Sequence, residues 1–412
     1  MRILWIAPDV PYPLNTGGNV AIYNRIRELH RRGHRISLLA FGRPHDMERS
    51  VIEPLREICE DVAVFPKLPQ WRVLGRYLLA SQLPLRVITR PVQGLRSRLA
   101  TILKENPPDI LQVENSILAD VIPVSTAGSK VVSLVNFHSL VYEEFERIAA
   151  HLPPLAPHRW LFSLEARRAK AFETGIFQKD NFEKYLFVSD VELRSVAALF
   201  PRLAQKLVHV PISIDLKPYE GMGAVEKCGL HKSTRQKRIL FFGGFENPAN
   251  QDAACWFARA IFPRVKQTFS DLAFVVVGRN AKRYVGDLAS SDVEILGDVQ
   301  DMRPHLACAD LCVMPLRSGG GVRVKLLEAI AARRIVVTTS LGLDGVTFRA
   351  GKEVLVADKE EEFAALCAEV LADPARFERL RNDAYAVLRD KHSWSAVGDQ
   401  LENLYEMALK KT

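Results

Sequence analysis

Apolar and polar residues follow one another along the chain in two rhythms, and the changes between them mark the elements. Ile3 to Ala7 is a short apolar run near the start and predicts a buried strand. Pro8 to Asn19 is rich in Pro, Gly and Asn and predicts a loop. From Val20 to Arg32 the spacing becomes helical, with Ile22, Ile26 and Leu29 on one side. Gly33 closes that helix, and Ile36 to Phe41 is apolar again. Strand, glycine loop, helix and strand within about 40 residues form a βαβ unit, which predicts a parallel sheet.

The alternation continues with strands expected over 62–65, 110–113, 130–137 and 185–189, and a helix near 94–105. Residues 207–215 read as a last short strand running into a proline turn, and the polar stretch 216–235 as a linker. The pattern then restarts. Strands are expected over 238–244, 272–278, 293–299, 310–316, 335–340 and 354–358, with helices over 253–265 and 324–333 and two more helical stretches behind them. The fold class expected is α/β, with two Rossmann-like doubly wound parallel-sheet domains, 1–215 and 236–385, and a helical segment 386–412. Ligands of open α/β sheets sit beyond the carboxyl ends of the strands, so the cleft between two such domains is the expected site.

Composition narrows this little. A chain of 412 residues, 48% hydrophobic, has enough apolar surface for more than one core. The formal net charge of +8 suits anionic partners such as nucleotide diphosphates, nucleic acid or an anionic membrane face, without choosing among them. Cysteines 59, 228, 255, 308, 312 and 367 are scattered, so no zinc site is expected and the thiols read as reduced and mostly buried. The first apolar run is too short for a signal peptide, and no stretch approaches the roughly 20 apolar residues of a membrane span. An intracellular protein is expected.

The richest chemistry lies between Ser318 and Glu328. A predicted strand ends at Leu316, Gly319, Gly320 and Gly321 follow, and a helix is expected from about Val322. Free N–H groups and the helix dipole favour an anion at such a start. Arg323 and Lys325 add a guanidinium fork and a mobile point charge. Glu328 lies one turn on; a carboxylate accepts hydrogen bonds only, which suits a ribose hydroxyl. The group reads as a nucleotide diphosphate site.

Weaker candidates surround it. Gly17 and Gly18, within the loop Asn15 to Asn19, permit close backbone approach to a ligand, but the spacing is not the GxGxxG of nicotinamide enzymes. Gly243 and Gly244 end the first strand of the second half, followed by Phe245, Glu246 and Asn247; Gly278 and Arg279 end the next. His138 follows a predicted strand at its ligand-facing end. His34 reads as a helix-end group, and His151, His158 and His209 have no comparable position. Residues 67–98 carry Lys67, Arg72, Arg76, Arg86, Arg90, Arg96 and Arg98 with no acidic residue and with Trp71 and Tyr77 interleaved. That stretch suits either an anionic membrane surface or a helix with one apolar and one basic side. It matches no nucleic-acid-binding motif, and no nucleic acid is expected as a partner.

With these residues in view the chain resembles the group-one retaining glycosyltransferases (family 4), enzymes of the two-domain B-type fold (GT-B). The resemblance runs through GGFENPANQDAACWF (243–257), FVVVGR (274–279), the stretch from ILGDV to LGLDGV (295–346) and LVAD (355–358). In the first half it includes residues 7–41, FVSDVE (187–192) and VPISID (210–215). It implies a nucleotide held mainly by the second domain, with Glu328 on the ribose and Gly320, Gly321 and Val322 along the pyrophosphate and sugar. Gly17 and Gly18 match a loop near the phosphate and acceptor. His138 matches a histidine at the transferred sugar, and the segment from His392-Ser393-Trp394 matches one that crosses back to the first domain. The chain departs from the family in having Gly320 where a first glutamate is frequent. It also lacks the usual Arg and Lys after the first strand of the second domain, for which Arg323 and Lys325 are the replacements.

The reaction implied is transfer of a hexosyl group from a UDP- or GDP-sugar to a hydroxyl with retention, in cell-surface polysaccharide or glycolipid synthesis. The expected partners are the nucleotide sugar and a glycan or lipid-linked sugar acceptor, with peripheral contact to an anionic membrane as an open reading. No DxD-like pair stands beside the site, so no obligatory metal or other cofactor is expected. The alternatives are a nucleotide-sugar epimerase or phosphorylase on the same fold, or a catalytically silent binding protein.

Overall fold

The computed structural model describes residues 1–14, 17–69, 71–73, 77, 82–123, 129–134, 157–222, 236–319 and 323–410. The chain forms two compact units, Met1–Pro211 with Val397–Thr412, and Ile212–Ala396.

The first unit is a seven-stranded sheet. Its strands are β1 (Arg2–Ala7), β2 (Arg35–Gly42), β3 (Asp61–Pro66), β4 (Ile110–Glu114), β5 (Ser129–Leu134), β6 (Lys184–Phe187) and β7 (Leu207–His209). Their order is β3-β2-β1-β4-β5-β6-β7 and every pairing is parallel. Alternate side chains point to opposite faces of a strand, and each face here has its own core. Leu4, Ile6, Leu39, Phe41, Leu111 and Val113 pack with Leu95 and Leu99 of helix α2 (Gln93–Glu105) and with Ile176 and Phe177 of α3 (Pro157–Lys179). Ile3, Trp5, Leu38 and Ala40 pack with Ile22, Ile26 and Leu29 of α1 (Gly17–Arg31). Residues of the final helix, which runs from Trp394 to Leu409, close that second face.

The second unit has six parallel strands: β8 (Lys237–Phe242), β9 (Leu272–Val277), β10 (Val293–Leu296), β11 (Leu311–Met314), β12 (Val336–Thr338) and β13 (Leu355–Val356). Their order is β10-β9-β8-β11-β12-β13. All six residues of β9 are buried, as parallel strands covered on both faces require. Ile239, Phe241, Phe274, Val276 and Val313 share one core with Ala253, Phe257 and Phe363.

Several elements differ from expectation at their ends. Of the strand expected over 207–215, β7 pairs with β6 only as far as His209, where Pro211 has no N–H to extend the ladder, and Ile214 makes a separate parallel bridge with Ser393. The helix expected over 253–265 starts earlier, as α4 (Pro248–Trp256), with the Asn247 side chain accepting from Ala249 N. It then passes through a π-turn at Phe257–Ile261 into Phe262–Lys266. Pro263 removes an N–H from the ladder at this point, and the Phe262 N–H bonds back to Phe257 O instead. The thiols are not all reduced. Cys308 is disulfide-bonded, whereas Cys59, Cys255, Cys312 and Cys367 are free. Among the described residues no helix is long and apolar enough to cross a membrane.

Candidate active site

In a doubly wound sheet the chain winds outward in both directions from one strand pair, and loops at the carboxyl ends of that pair diverge to leave room for a ligand. In the second unit that pair is β8 and β11. Beyond β8 lie Gly243 and Gly244. Beyond β11 lie Arg317, Ser318 and Gly319, and then helix α5 (Val324–Ala331).

The end of β8 is tightly built. Gly243 N donates to Val277 O at 3.0 Å. A Cβ on Gly278, at φ +144°, would lie 1.9 Å from Gly243 O, so only glycine fits there. A Cβ on Gly243 would lie 2.8 Å from Lys325 Nζ and 3.1 Å from Asn250 Nδ2. The Lys325 ammonium therefore occupies the space beside Gly243. It donates to Asn250 Oδ1 at 2.6 Å and lies 5.0 Å from the centre of the Phe241 ring. Asn250 Nδ2 donates to Gly244 O at 2.7 Å. On the outer side, Arg279 Nε and Asn280 Nδ2 both donate to Glu246 Oε1, at 2.7 and 2.5 Å.

Helix α5 carries the other charges. Arg323, in the cap position and 7% exposed, sends Nη2 to Gly319 O at 2.6 Å and to Leu341 O at 3.3 Å. It thereby fastens the glycine turn to the turn after β12. Glu328 is part-buried and accepts from the Tyr219 hydroxyl at 3.4 Å. Burial raises the Glu328 carboxyl to about 7, with the Tyr219 hydrogen bond and the Lys325 charge pulling the other way. Burial and the Arg323 charge lower Lys325 to about 7, against the pull of Glu328. A cation and a carboxylate on one helix thus both change charge near neutral pH.

The structure brings Gly243, Gly244, Arg323, Lys325 and Glu328 to the same end of one sheet. Gly320, Gly321, Val322 and His138 lie outside the described residues. The helix expected from about Val322 begins at Val324. In the first unit Gly17 and Gly18 form the first turn of α1, beyond β1, and a Cβ on Gly18 would meet nothing within 4 Å. Asp9, also beyond β1, pairs with Arg90 at 2.8 Å and with Lys67. His34 bonds Glu402 at 2.8 Å, and His209 Nε2 bonds Val188 O at 3.0 Å. Of the basic stretch, Arg98 pairs with Asp61 at 2.7 Å, while Trp71 is 69% exposed with the Arg72 guanidinium 4.8 Å from its ring centre.

Two site residues escaped sequence reasoning. Asn250 sits in phase with Ala253, Ala254 and Phe257, and a polar side chain in an apolar helical stripe is a legible signal. Tyr219 lies in what reads as linker, and nothing in its surroundings announces it. Among the described residues no group of three or more His, Cys, Asp and Glu side chains is arranged to hold a metal ion.

Residues 236–373 match the family model described as glycosyl transferases group 1. A Klebsiella pneumoniae protein described as an uncharacterized 44.6 kDa protein in the cps region is 22% identical over 95% of this chain and 96% of its own length. A GDP-mannose-dependent monoacylated alpha-(1-6)-phosphatidylinositol monomannoside mannosyltransferase of Corynebacterium glutamicum is 29% identical over 35% of this chain and 41% of its own. Among solved structures, a sucrose-phosphate synthase from Thermosynechococcus elongatus superposes with a TM-score of 0.68 at 13% identity, over all of both chains. Fold, strand order and the match over the second unit agree: the chain is a GT-B-fold glycosyltransferase related to the family 4 enzymes, moving a sugar from a nucleotide-sugar donor.

Proposed function

We propose that the second unit binds a UDP- or GDP-sugar and that the enzyme transfers its hexosyl group, with retention, to a hydroxyl of a glycan or lipid-linked sugar. The observation that carries this is the placement of Lys325 and Glu328 three residues apart on α5, beside the glycine end of β8. A cation at a helix start suits a diphosphate, and a carboxylate one turn farther suits the ribose. The family resemblance adds Gly320, Gly321 and Val322 along the pyrophosphate and His138 at the sugar. The Corynebacterium relative's GDP-mannose and the cps region of the Klebsiella relative support the donor class and a role in polysaccharide or glycolipid synthesis.

In the reaction the acceptor oxygen bonds to the anomeric carbon on the face from which the diphosphate leaves. The bond from that carbon to the phosphate oxygen breaks, and the acceptor's proton passes to the departing phosphate. Lys325 offsets the charge that develops there. Arg323, committed to the Gly319 and Leu341 carbonyls, holds the turn and adds its charge from behind. The first unit, with Gly17 and Gly18, takes the acceptor side. Peripheral contact with an anionic membrane rests on exposed Trp71 and Arg72, and sedimentation with anionic against neutral vesicles tests it.

The deciding experiment is calorimetric titration with UDP and GDP of wild type, Glu328→Ala and Lys325→Met. Binding of one nucleotide, weakened by each substitution, is expected. Folded wild type that binds neither sinks the donor-site reading.

A further inference from the structure

We propose that Asn250 is a positioning residue for the donor diphosphate, acting through Lys325 to hold its ammonium beside Gly243. The proposal rests on the donor-site reading above.

Asn250 is 7% exposed, in the first turn of α4. A buried amide is costly unless both halves are bonded, and both are. The ammonium has donors only, so the group facing it at 2.6 Å is the amide oxygen, which turns Nδ2 toward Gly244 O at 2.7 Å. One side chain therefore ties the lysine to the carbonyl of the glycine turn it lies against. Lysine has a long, mobile stem that takes many rotamers in water. Here one of its three donors is committed to Asn250 and its charge rests against the Phe241 ring. Gly243 completes the arrangement, because a Cβ there would press on both Nζ and Nδ2. A cation fixed before the ligand arrives loses less freedom on binding and stands ready where charge develops.

A purely structural Asn250 would keep α4 against β8 without regard to the lysine, and a double-mutant cycle separates the two. The probes are UDP or GDP, whichever wild type binds, and the matching nucleoside, uridine or guanosine. Asn250→Ala is expected to weaken the diphosphate about tenfold and leave the nucleoside unchanged. In a Lys325→Met background the same substitution should cause no further loss. Asn250→Asp preserves the size and an acceptor for the ammonium but offsets its charge and loses the donor to Gly244 O, so it should weaken the diphosphate and spare the nucleoside, with a lower melting temperature but a folded chain, and it carries the test if the alanine variant does not fold. Equal weakening of nucleoside and diphosphate, a full additional loss on top of Lys325→Met, or no effect would each overturn the proposal while leaving the donor site standing. Absence of any nucleotide binding by wild type overturns both.

Discussion

Tyr219 and Glu328 are joined by a hydrogen bond of 3.4 Å, from the phenol to Oε1. Tyr219 belongs to a short turn, Lys217–Tyr219, and Glu328 to α5, so the bond ties the start of the second unit to the helix that carries Lys325. It also favours the ionised carboxyl, which burial otherwise opposes. Tyr219→Phe should therefore push the Glu328 value above about 7 and leave less carboxylate at neutral pH. Relative to wild type at the same pH, nucleotide affinity should fall about three- to tenfold at pH 6.5, and the difference should close at pH 8.5. An equal loss at both pH values would assign Tyr219 a direct contact with the ligand instead.

Lys325 and Glu328 make nucleotide binding depend on pH in opposite senses. Lys325 attracts a diphosphate only when protonated, and its value of about 7 means that charge is lost as the pH rises through neutrality. Glu328 accepts a ribose hydroxyl most strongly when ionised, and its value of about 7 means that form is lost as the pH falls through the same range. Affinity measured from pH 5.5 to 9 should peak near neutrality. Lys325→Met should flatten the alkaline limb and Glu328→Gln the acid limb. Since the Glu328 charge supports the lysine's, Glu328→Gln should also move the remaining limb to lower pH. A flat wild-type profile would remove both residues from the binding equilibrium.

Much of this architecture could be read from the sequence because parallel strands buried on both faces are short, continuous apolar runs, as in Leu272–Val277. Element ends were harder to read. Asn247 with Pro248 is a helix start by capping chemistry, yet the apolar stripe alone suggests a start at Ala253. In the site, the spacing of Arg323, Lys325 and Glu328 was visible because it is local. The contact between Lys325 and Asn250 was not, since 75 residues separate them and only the β8–β11 pairing brings their loops together. Arg323 reads in sequence as a free clamp, whereas the fold commits it to two carbonyls, a demand that local spacing does not record.

Two glycines should behave oppositely. Gly278→Ala would place a Cβ 1.9 Å from Gly243 O at φ +144°, so backbone must move at the end of β8. A loss of about 1–3 kcal/mol or more is expected, read as a lower melting temperature. Gly18→Ala meets nothing within 4 Å in the first turn of α1, and its melting temperature should hold. If the Gly18 backbone serves the acceptor side, transfer should fall in that variant while stability does not. Unchanged transfer would make Gly18 a helix residue only.

The last helix belongs to the core of the first unit although its sequence lies farthest from it. Val397, Leu401, Leu404 and Tyr405 are buried against Ile3, Trp5 and Ile26. The Tyr405 hydroxyl donates to Gln112 Oε1 at 3.0 Å, inside the sheet's cover. On the rim Arg32 pairs with Asp399 at 2.7 Å and Glu402 at 2.5 Å. Four large buried side chains at about 1.5–3 kcal/mol each amount to roughly 6–12 kcal/mol, against a typical domain stability of about 5–15 kcal/mol. Deleting residues 397–412 should therefore unfold the first unit, and limited proteolysis should degrade residues 1–211 ahead of 212–396. Leu401→Ala, at about 2–5 kcal/mol, should lower the melting temperature without abolishing the transition. If the truncated chain melted within a few degrees of the full one, the helix would be a cover whose removal the sheet tolerates, and the apolar face it leaves would have to be closed by other residues of the first unit.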